Sequence, residues 1–199
     1  MGKDIRPDHP VHEIIADRWS PYGLAAREVA EADLRSLFEA ARWSASCFNE
    51  QPWRYLVATK RQPDEFARML ECLVEANQAW ASSASALALG LAKTTFTRNG
   101  KPNRTALHDL GAASSSLSLE ASARGIAVHQ MAGIDPEKAR RTFSVPDDFE
   151  VVTALAFGYA ADATDLDEKF RTRDEGERTR RPQSEFVFAS EFGKAAWQG

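Results

Sequence analysis

Helical and extended patterns alternate along most of this chain, and that alternation limits the folds open to it. Residues 31–43 place Leu34, Leu37, Phe38 and Ala41 at helical spacing. Trp53 to Thr59 then reads as a strand, with Tyr55 and Val57 on one face. Pro63 and Asp64 open a second helix, whose stripe runs Phe66, Met69, Leu70, Leu73 and Asn77. Ala84 to Leu91 is a buried strand by pattern, with helix as its alternative, because Ala and Leu serve either. Residues 106–124 form a long helix with Leu107, Leu110, Leu117 and Ala121 inward, ended by Gly125. Ile126 to Met131 is a strand running into Ala132-Gly133, and Asp135 caps a short helix with Pro136 in its first turn. Glu150 to Ala160 is the clearest strand. Residues 9–17 suggest a short helix, and Glu185 to Ala189 a last strand, within about 184–190. The class is therefore α+β or α/β around one sheet, in a single domain spanning 1–199.

Composition excludes several functions. Net charge is −4 with no long basic patch, which argues against nucleic acid. Cys47 and Cys72 form no CxxC pair, which argues for a reducing compartment and against structural zinc. The N-terminus has no apolar leader, and Gly2 lacks the downstream Ser or Thr of a myristoylation site. The longest apolar run, Ala86 to Ala92, is too short to span a bilayer, so the expected location is cytoplasmic. Twelve of the eighteen residues from Asp165 to Pro182 are charged, which reads as a solvated connection over about 162–182.

The sequence has no GxGxxG, GKS or GKT phosphate loop and no GxSxG elbow. His9, His12, His108 and His129 complete no metal pattern. No nucleophile comes with its own base, so any hard chemistry belongs to a cofactor. Three separated segments could hold one. Arg18-Trp19-Ser20 offers a guanidinium fork and a hydroxyl for phosphate. The loop WSASCFNEQPW, with Asn77, offers small side chains and amides suited to the edge of a flat heterocycle. Gln130-Met131-Ala132-Gly133 lets backbone N–H groups approach a ring. Arg178, Arg180 and Arg181 add phosphate-capable charge. Taken singly, each has an ordinary structural explanation; their joint occurrence and order carry the weight.

The segments RWSPYGL, AARWSASCFNEQPWRYLVA, EANQAWA, HDLGAASSSLSLEASARGIAVHQMAGID and RTRRP stand in the order seen in the FMN-dependent nitroreductase family, which the chain resembles over roughly residues 14–190. The resemblance implies a homodimer with a central mixed, mostly antiparallel sheet flanked by helices. The C-terminal segment would be exchanged between subunits, and two FMN molecules would lie in the dimer interface. It assigns Arg18, Trp19 and Ser20, with Tyr22 just beyond, to the FMN tail, and Arg178 and Arg180 to its phosphate, Arg181 being a substitute. It assigns Ala45, Ser46, Cys47 and Asn49 to the partner's flavin, Asn77 to the pyrimidine edge, and Met131, Ala132 and Gly133 to the neighbourhood of N5. The implied activity is NAD(P)H-dependent, ping-pong reduction of nitroaromatics, quinones or related small acceptors, with the flavin rather than a side chain carrying the chemistry. The alternatives are another flavin chemistry on the same fold (dehydrogenation, dehalogenation, flavin breakdown), or flavin binding without turnover. A colourless scaffold that has lost FMN is a third. Tyr22 stands where many members carry Arg or Lys, and Trp80 where some carry Lys, so the reduced ring should be less well stabilised unless Arg54 or a backbone dipole compensates. Residues 94–105, with Phe96, are placed to line the entrance.

Overall fold

In the computed structural model, which describes residues 5, 7–162, 164 and 166–197, four strands form one sheet in the order β1-β2-β4-β3. These are β1 (Trp53–Thr59), β2 (Ala86–Lys93), β3 (Ala127–Met131) and β4 (Phe149–Gly158). Every pairing is antiparallel, so the parallel component expected of a mixed sheet is missing among the described strands. Among the described residues seven α-helices accompany it: α1 (Glu13–Asp17), α2 (Glu31–Arg42), α3 (Pro63–Leu70), α4 (Glu75–Ala81), α5 (Ala106–Ala123), α6 (Pro136–Phe143) and α7 (Glu168–Glu175).

The strand period of two sorts the core onto two faces. On β2, Leu87, Leu89 and Leu91 join a core with Phe66, Met69, Trp80 and Phe170 from α3, α4 and α7. The alternate residues Ala86, Ala88 and Ala92 face Leu34, Leu37, Leu110 and Leu117 of α2 and α5. Small side chains on that face let α5 lie close to the sheet. The Ala/Leu run is thus a strand, because its two residue types serve two different layers. A register shift between Gly90 and Leu91 interrupts β2 against β4.

The helix expected to run from Pro63 through Asn77 is two helices. After Leu70 the chain extends: Leu73 bridges Ile134, and Val74 N–H donates to Gly133 O at 3.1 Å. Backbone pairing with residues 133–135 outweighs helix continuation, and Asn77 starts afresh on α4. Leu107 is another departure, at 45% exposed on the outer face of α5. The C-terminal strand is replaced by a 3₁₀ turn at Gln183–Glu185 and a small bridge between Phe188 and Ala195. The short first helix covers only Glu13–Asp17 of the 9–17 expected. Two caps match expectation: Asp135 accepts from Lys138 N–H at 2.9 Å, and Gly125 adopts φ 67° after α5. Gly2 and Asp165 lie outside the described residues. No helix among the described residues is long and apolar enough to cross a membrane.

Candidate functional site

The C-terminal end of β3 and the start of α4 build one half of the site. Gly133 O accepts both Val74 N–H and Asn77 Nδ2–H, the latter at 3.0 Å. Trp80, one turn further along α4, donates Nε1–H to Asn77 Oδ1 at 3.3 Å. An indole N–H can only donate and a carbonyl can only accept, so the sense of the Asn77 amide is set from both ends. A Cβ at residue 133 would run into Asn77 Nδ2 and Val74 Cγ2, so any larger residue would have to displace the Asn77 amide or Val74. The result is a turn, with Ala132 exposed, pinned to a buried helix face. The Met131 side chain is buried in the core and its carbonyl accepts from Thr153 Oγ1 at 2.9 Å, so Met131 can offer a ligand little but backbone. Gln130 turns its amide to Ser114 O and Ser118 Oγ on α5.

Behind this turn lies an aromatic cluster that the sequence did not reveal. Tyr22 packs edge-on to Trp80 and His129 and stacks on Phe170, at centroid distances of 5.3, 4.8 and 5.6 Å. Trp80 and His129 lie 4.4 Å apart. His129 Nδ1 is 2.9 Å from Pro21 O, so Nδ1 carries the proton. Burial pushes the His129 pKa below its ordinary 6.5. Trp80 and Tyr22 are therefore packing residues, and only the Tyr22 hydroxyl, which accepts from Arg173 at 3.1 Å, is tied to a cation.

A second cluster is cationic. Arg18 follows α1 and donates to Ser20 Oγ at 3.3 Å. Burial and the charge of Arg180 both lower its pKa. Burial, then Arg18, then Arg180 lower that of Arg178. Arg178 spends one nitrogen on Ala16 O and another on Arg18 O, each at 2.8 Å. A cleft of about 450 Å³ borders Arg18, Arg178, Arg180 and Arg181. Trp19 lines a neighbouring cleft with Arg27 and Tyr159. Asp174, buried on α7, accepts Tyr22 N–H and Gly23 N–H at 2.8–3.1 Å, tying the segment after Ser20 to the helix that leads into the arginines. Neither Asp174 nor Phe170 stood out from the charged run around it in sequence.

The third segment is elsewhere. The loop carrying Ala45, Ser46, Cys47 and Asn49 leads into β1, at the opposite edge of the sheet from β3, about 14 Å away across three strand spacings. Its backbone is unusual: Phe48, Asn49 and Gln51 all have φ near +50°. Gln51 N–H donates to Ser46 Oγ, Gln51 Nε2 to Asn49 Oδ1, and Cys47 N–H to the buried carboxylate of Asp109 at 3.1 Å. Asp109 is the anchor of this loop, so its position beside His108 reflects structure. Phe48 projects outward, 71% exposed, against Phe96, with the Arg98 guanidinium 4.1 Å above its ring. The 94–105 loop and the small-residue loop therefore share one surface. Arg54 donates through Nη1 to Gln51 O and Trp53 O, at the start of β1.

Within one chain, then, Arg18, Ser20, Arg178 and Arg180 form one cluster, and Asn77, Ala132 and Gly133 form another. The Tyr22–Trp80–His129 packing joins them, and residues 45–49 stand apart. Among the described residues no group of three or more His, Cys, Asp and Glu is arranged for a metal.

A solved structure described as an oxidoreductase containing FMN superposes with a TM-score of 0.89, at 30% identity over 96% of this chain and 98% of that one. A nitroreductase family protein from Clostridium difficile superposes with a TM-score of 0.67 at 23% identity, covering 90% of this chain and 98% of the other. In sequence, an uncharacterized 15.4 kDa protein of Mycolicibacterium smegmatis is 34% identical over 133 residues, 65% of this chain and 86% of that protein. The major NAD(P)H-flavin oxidoreductase of Aliivibrio fischeri is 32% identical over 97 residues, 46% of this chain and 43% of its own length. The family model for the nitroreductase family matches residues 15–159, from α1 through β4, and the chain belongs to that family.

Proposed function

We propose that this chain is an FMN-dependent NAD(P)H oxidoreductase that works as a homodimer on nitroaromatic, quinone or related small acceptors. The observation that carries the flavin is the pairing of the Arg18 guanidinium at one end of the site with a locked amide and a close-packed glycine turn at the other. Arg18 is half-buried, and among the described residues it has no ion-pair partner. Such a group calls for an anion. At the other end, the exposed turn at Ala132 is rigid, and Asn77 keeps one N–H and one acceptor lone pair beyond those used by Gly133 and Trp80. The residues present therefore suit a molecule with a phosphate tail and a flat polar head. Arg18, Ser20 and Arg180 would hold the tail, and Asn77 with the Ala132–Gly133 backbone would hold the head. FMN bound there would supply the two-electron relay between nicotinamide donor and acceptor in ping-pong order.

The chain's own share is positioning. Asn77 and Gly133 fix the polar edge, the Trp80–Tyr22–His129 packing keeps water from behind it, and no side chain is needed as a dedicated acid or base. Tyr22 and Trp80 put uncharged aromatic side chains where many and some members, respectively, have cations, which favours a low flavin potential and keeps open a different flavin chemistry on the same frame.

The dimer is supported by what one chain leaves uncovered. The outer face of α5 carries exposed Leu107 and Gly111, where an added Cβ meets nothing within 4 Å. Phe186, Phe192 and Trp197 near the C-terminus are 60%, 96% and 54% exposed. A groove of about 800 Å³ beside edge strand β1, floored by Leu34, Phe38 and Val57, is a fitting seat for such a segment from a partner. A dimer would also bring the separate 45–49 loop to a second flavin.

The purified protein should be yellow, and stopped-flow mixing with NADH or NADPH should bleach the bound flavin. Failure of both donors to bleach a yellow protein rejects the reductase and leaves a binding protein. A colourless protein that cannot be loaded with FMN rejects the flavin reading altogether.

A further inference from the structure

Arg178 and Arg180 stand two residues apart beside Arg18, and by type alone they are interchangeable. Their surroundings are not alike. Arg178 reaches back across the chain and donates to Ala16 O and Arg18 O, both at 2.8 Å. Ala16 belongs to α1, and Arg18 is its C-terminal capping residue, so these carbonyls lie where a short helix runs out of partners. Two nitrogens of one planar guanidinium serve two carbonyls two residues apart, which fixes the backbone that carries the Arg18 side chain. Asp174, four residues earlier, holds Tyr22 and Gly23 by their N–H groups at 2.8–3.1 Å. The segment from Asp174 to Arg178 therefore grips the RWS stretch on both sides of Ser20, with a carboxylate on one side and a guanidinium on the other.

Arg180 is placed otherwise. Its described hydrogen bond is a local one, to Thr179 O at 2.7 Å. Its charge acts on Arg18, and it lines the same 450 Å³ cleft as Arg18 and Arg178, with Asp8 and His9; what sets it apart from Arg178 is that neither carbonyl of the α1 end is bonded to it. Among the described residues neither Arg18 nor Arg180 sits in an ion pair, whereas Arg181 lies 3.9 Å from Glu185. Arg18 donates to Ser20 Oγ at 3.3 Å, which leaves the hydroxyl proton free to turn toward an anion.

We propose that Arg178 is a positioning residue that staples the backbone around Arg18, and that it is not one of the groups, Arg18, Arg180 and the Ser20 hydroxyl, given above to the phosphate tail. The identity of that tail as the phosphate ester of FMN rests on the flavin reading above; the staple does not.

Neutral variants separate the two roles. Glutamine at 178 removes the charge and one of the two donor nitrogens while keeping an amide donor for one of the carbonyls. Dissociation constants of FMN and riboflavin for the apoprotein, read by quenching of flavin fluorescence, should give a wild-type preference for FMN. Arg180→Gln and Arg18→Gln should cut that preference roughly ten- to hundredfold while leaving riboflavin affinity within a factor of about two. Arg178→Gln should leave the preference nearly intact. Arg178→Ala should instead speed proteolysis in the segment 176–182 and lower Tm in the flavin-free protein, and Arg180→Ala should do neither. Inorganic phosphate should compete with FMN and not with riboflavin, which locates the effect in the phosphate group. If Arg178→Gln loses the FMN preference as fully as Arg180→Gln, or Arg178→Ala leaves proteolysis unchanged, the division of labour is wrong. If wild type binds neither flavin, the functional reading and the ester assignment fail together, and the proteolysis comparison still decides the staple.

Discussion

At the scale of single residues, Asn77 shows how a site side chain can be held by its neighbours before any ligand is considered. Trp80 is 3% exposed, and its indole N–H is directed to Asn77 Oδ1. Replacing Asn77 with Leu strands that buried donor, which should cost about 1–3 kcal/mol. In a Trp80→Phe background no donor is left to strand, so the same Asn77→Leu change should cost about 1 kcal/mol less, measured as a double-mutant cycle in urea. Additive effects would show that the 3.3 Å contact contributes nothing. His129 gives a pH signature. Its folded pKa lies below the ordinary 6.5 because of burial, so the unfolded chain takes up its proton first as pH falls. Stability from this group is complete above about 6.5 and is lost as pH drops toward the folded pKa. The slope of unfolding free energy against pH in that window should flatten in His129→Gln. An unchanged slope would assign the acid sensitivity to other groups.

At the scale of elements, the loop between α2 and β1 stores strain and is anchored to contain it. Left-handed backbone at Phe48, Asn49 and Gln51 costs on the order of 1 kcal/mol or more at each position. Asp109 on α5 holds the loop through Cys47 N–H, with Thr105 Oγ1 at 3.4 Å from the same oxygen. Asp109→Ala should destabilise the protein by about 1–3 kcal/mol and raise amide hydrogen exchange selectively in residues 46–51. Exchange that rises evenly throughout the chain would mean the anchor is global. The turn at Gly133 makes a second case. Gly133→Ala forces a methyl group into Asn77 and Val74, and a loss of about 1–3 kcal/mol is expected from overpacking. Thermal denaturation checks it, and a tolerated alanine would mean that the α4 start can move.

At the scale of the whole molecule, one chain does not assemble the three segments that the family resemblance groups together. The loop at 45–49 and the cluster at Arg18, Asn77 and Gly133 attach to opposite edges of the sheet. Gly111 offers a clean way to ask whether a second copy joins them. Its Cβ direction is open in the single chain, so Gly111→Arg should leave the fold and its circular dichroism unchanged. On a packed α5 face it should block association, giving a monomer in analytical ultracentrifugation together with loss of bound FMN. A wild-type protein that sediments as a monomer, or a yellow dimeric Gly111→Arg, would remove α5 from the interface.

Much of the layout was legible in the chain itself, for identifiable reasons. Local rules set the Asp135 cap, the Gly125 stop and the strand at β4, because each depends on neighbours within a few residues. The order of the RWS, NEQPW, EANQAW and MAG segments pointed to the family, which the family model matches, and Arg18, Ser20, Asn77, Ala132 and Gly133 came with it as candidates for the proposed site. What the sequence could not show is where distant groups spend their hydrogen bonds. The break between α3 and α4 exists because residues 133–135 offer a better backbone partner than the next helical turn. Tyr22 and Trp80 became packing residues because Phe170 and His129, far away in sequence, close around them. Two arginines of equal type became a staple and an open cation because one of them reaches two carbonyls 160 and 162 residues away along the chain. Local pattern determined which elements form; only the tertiary structure decided what each polar group has left to offer, because buried donors and acceptors are claimed by whatever the fold places within reach.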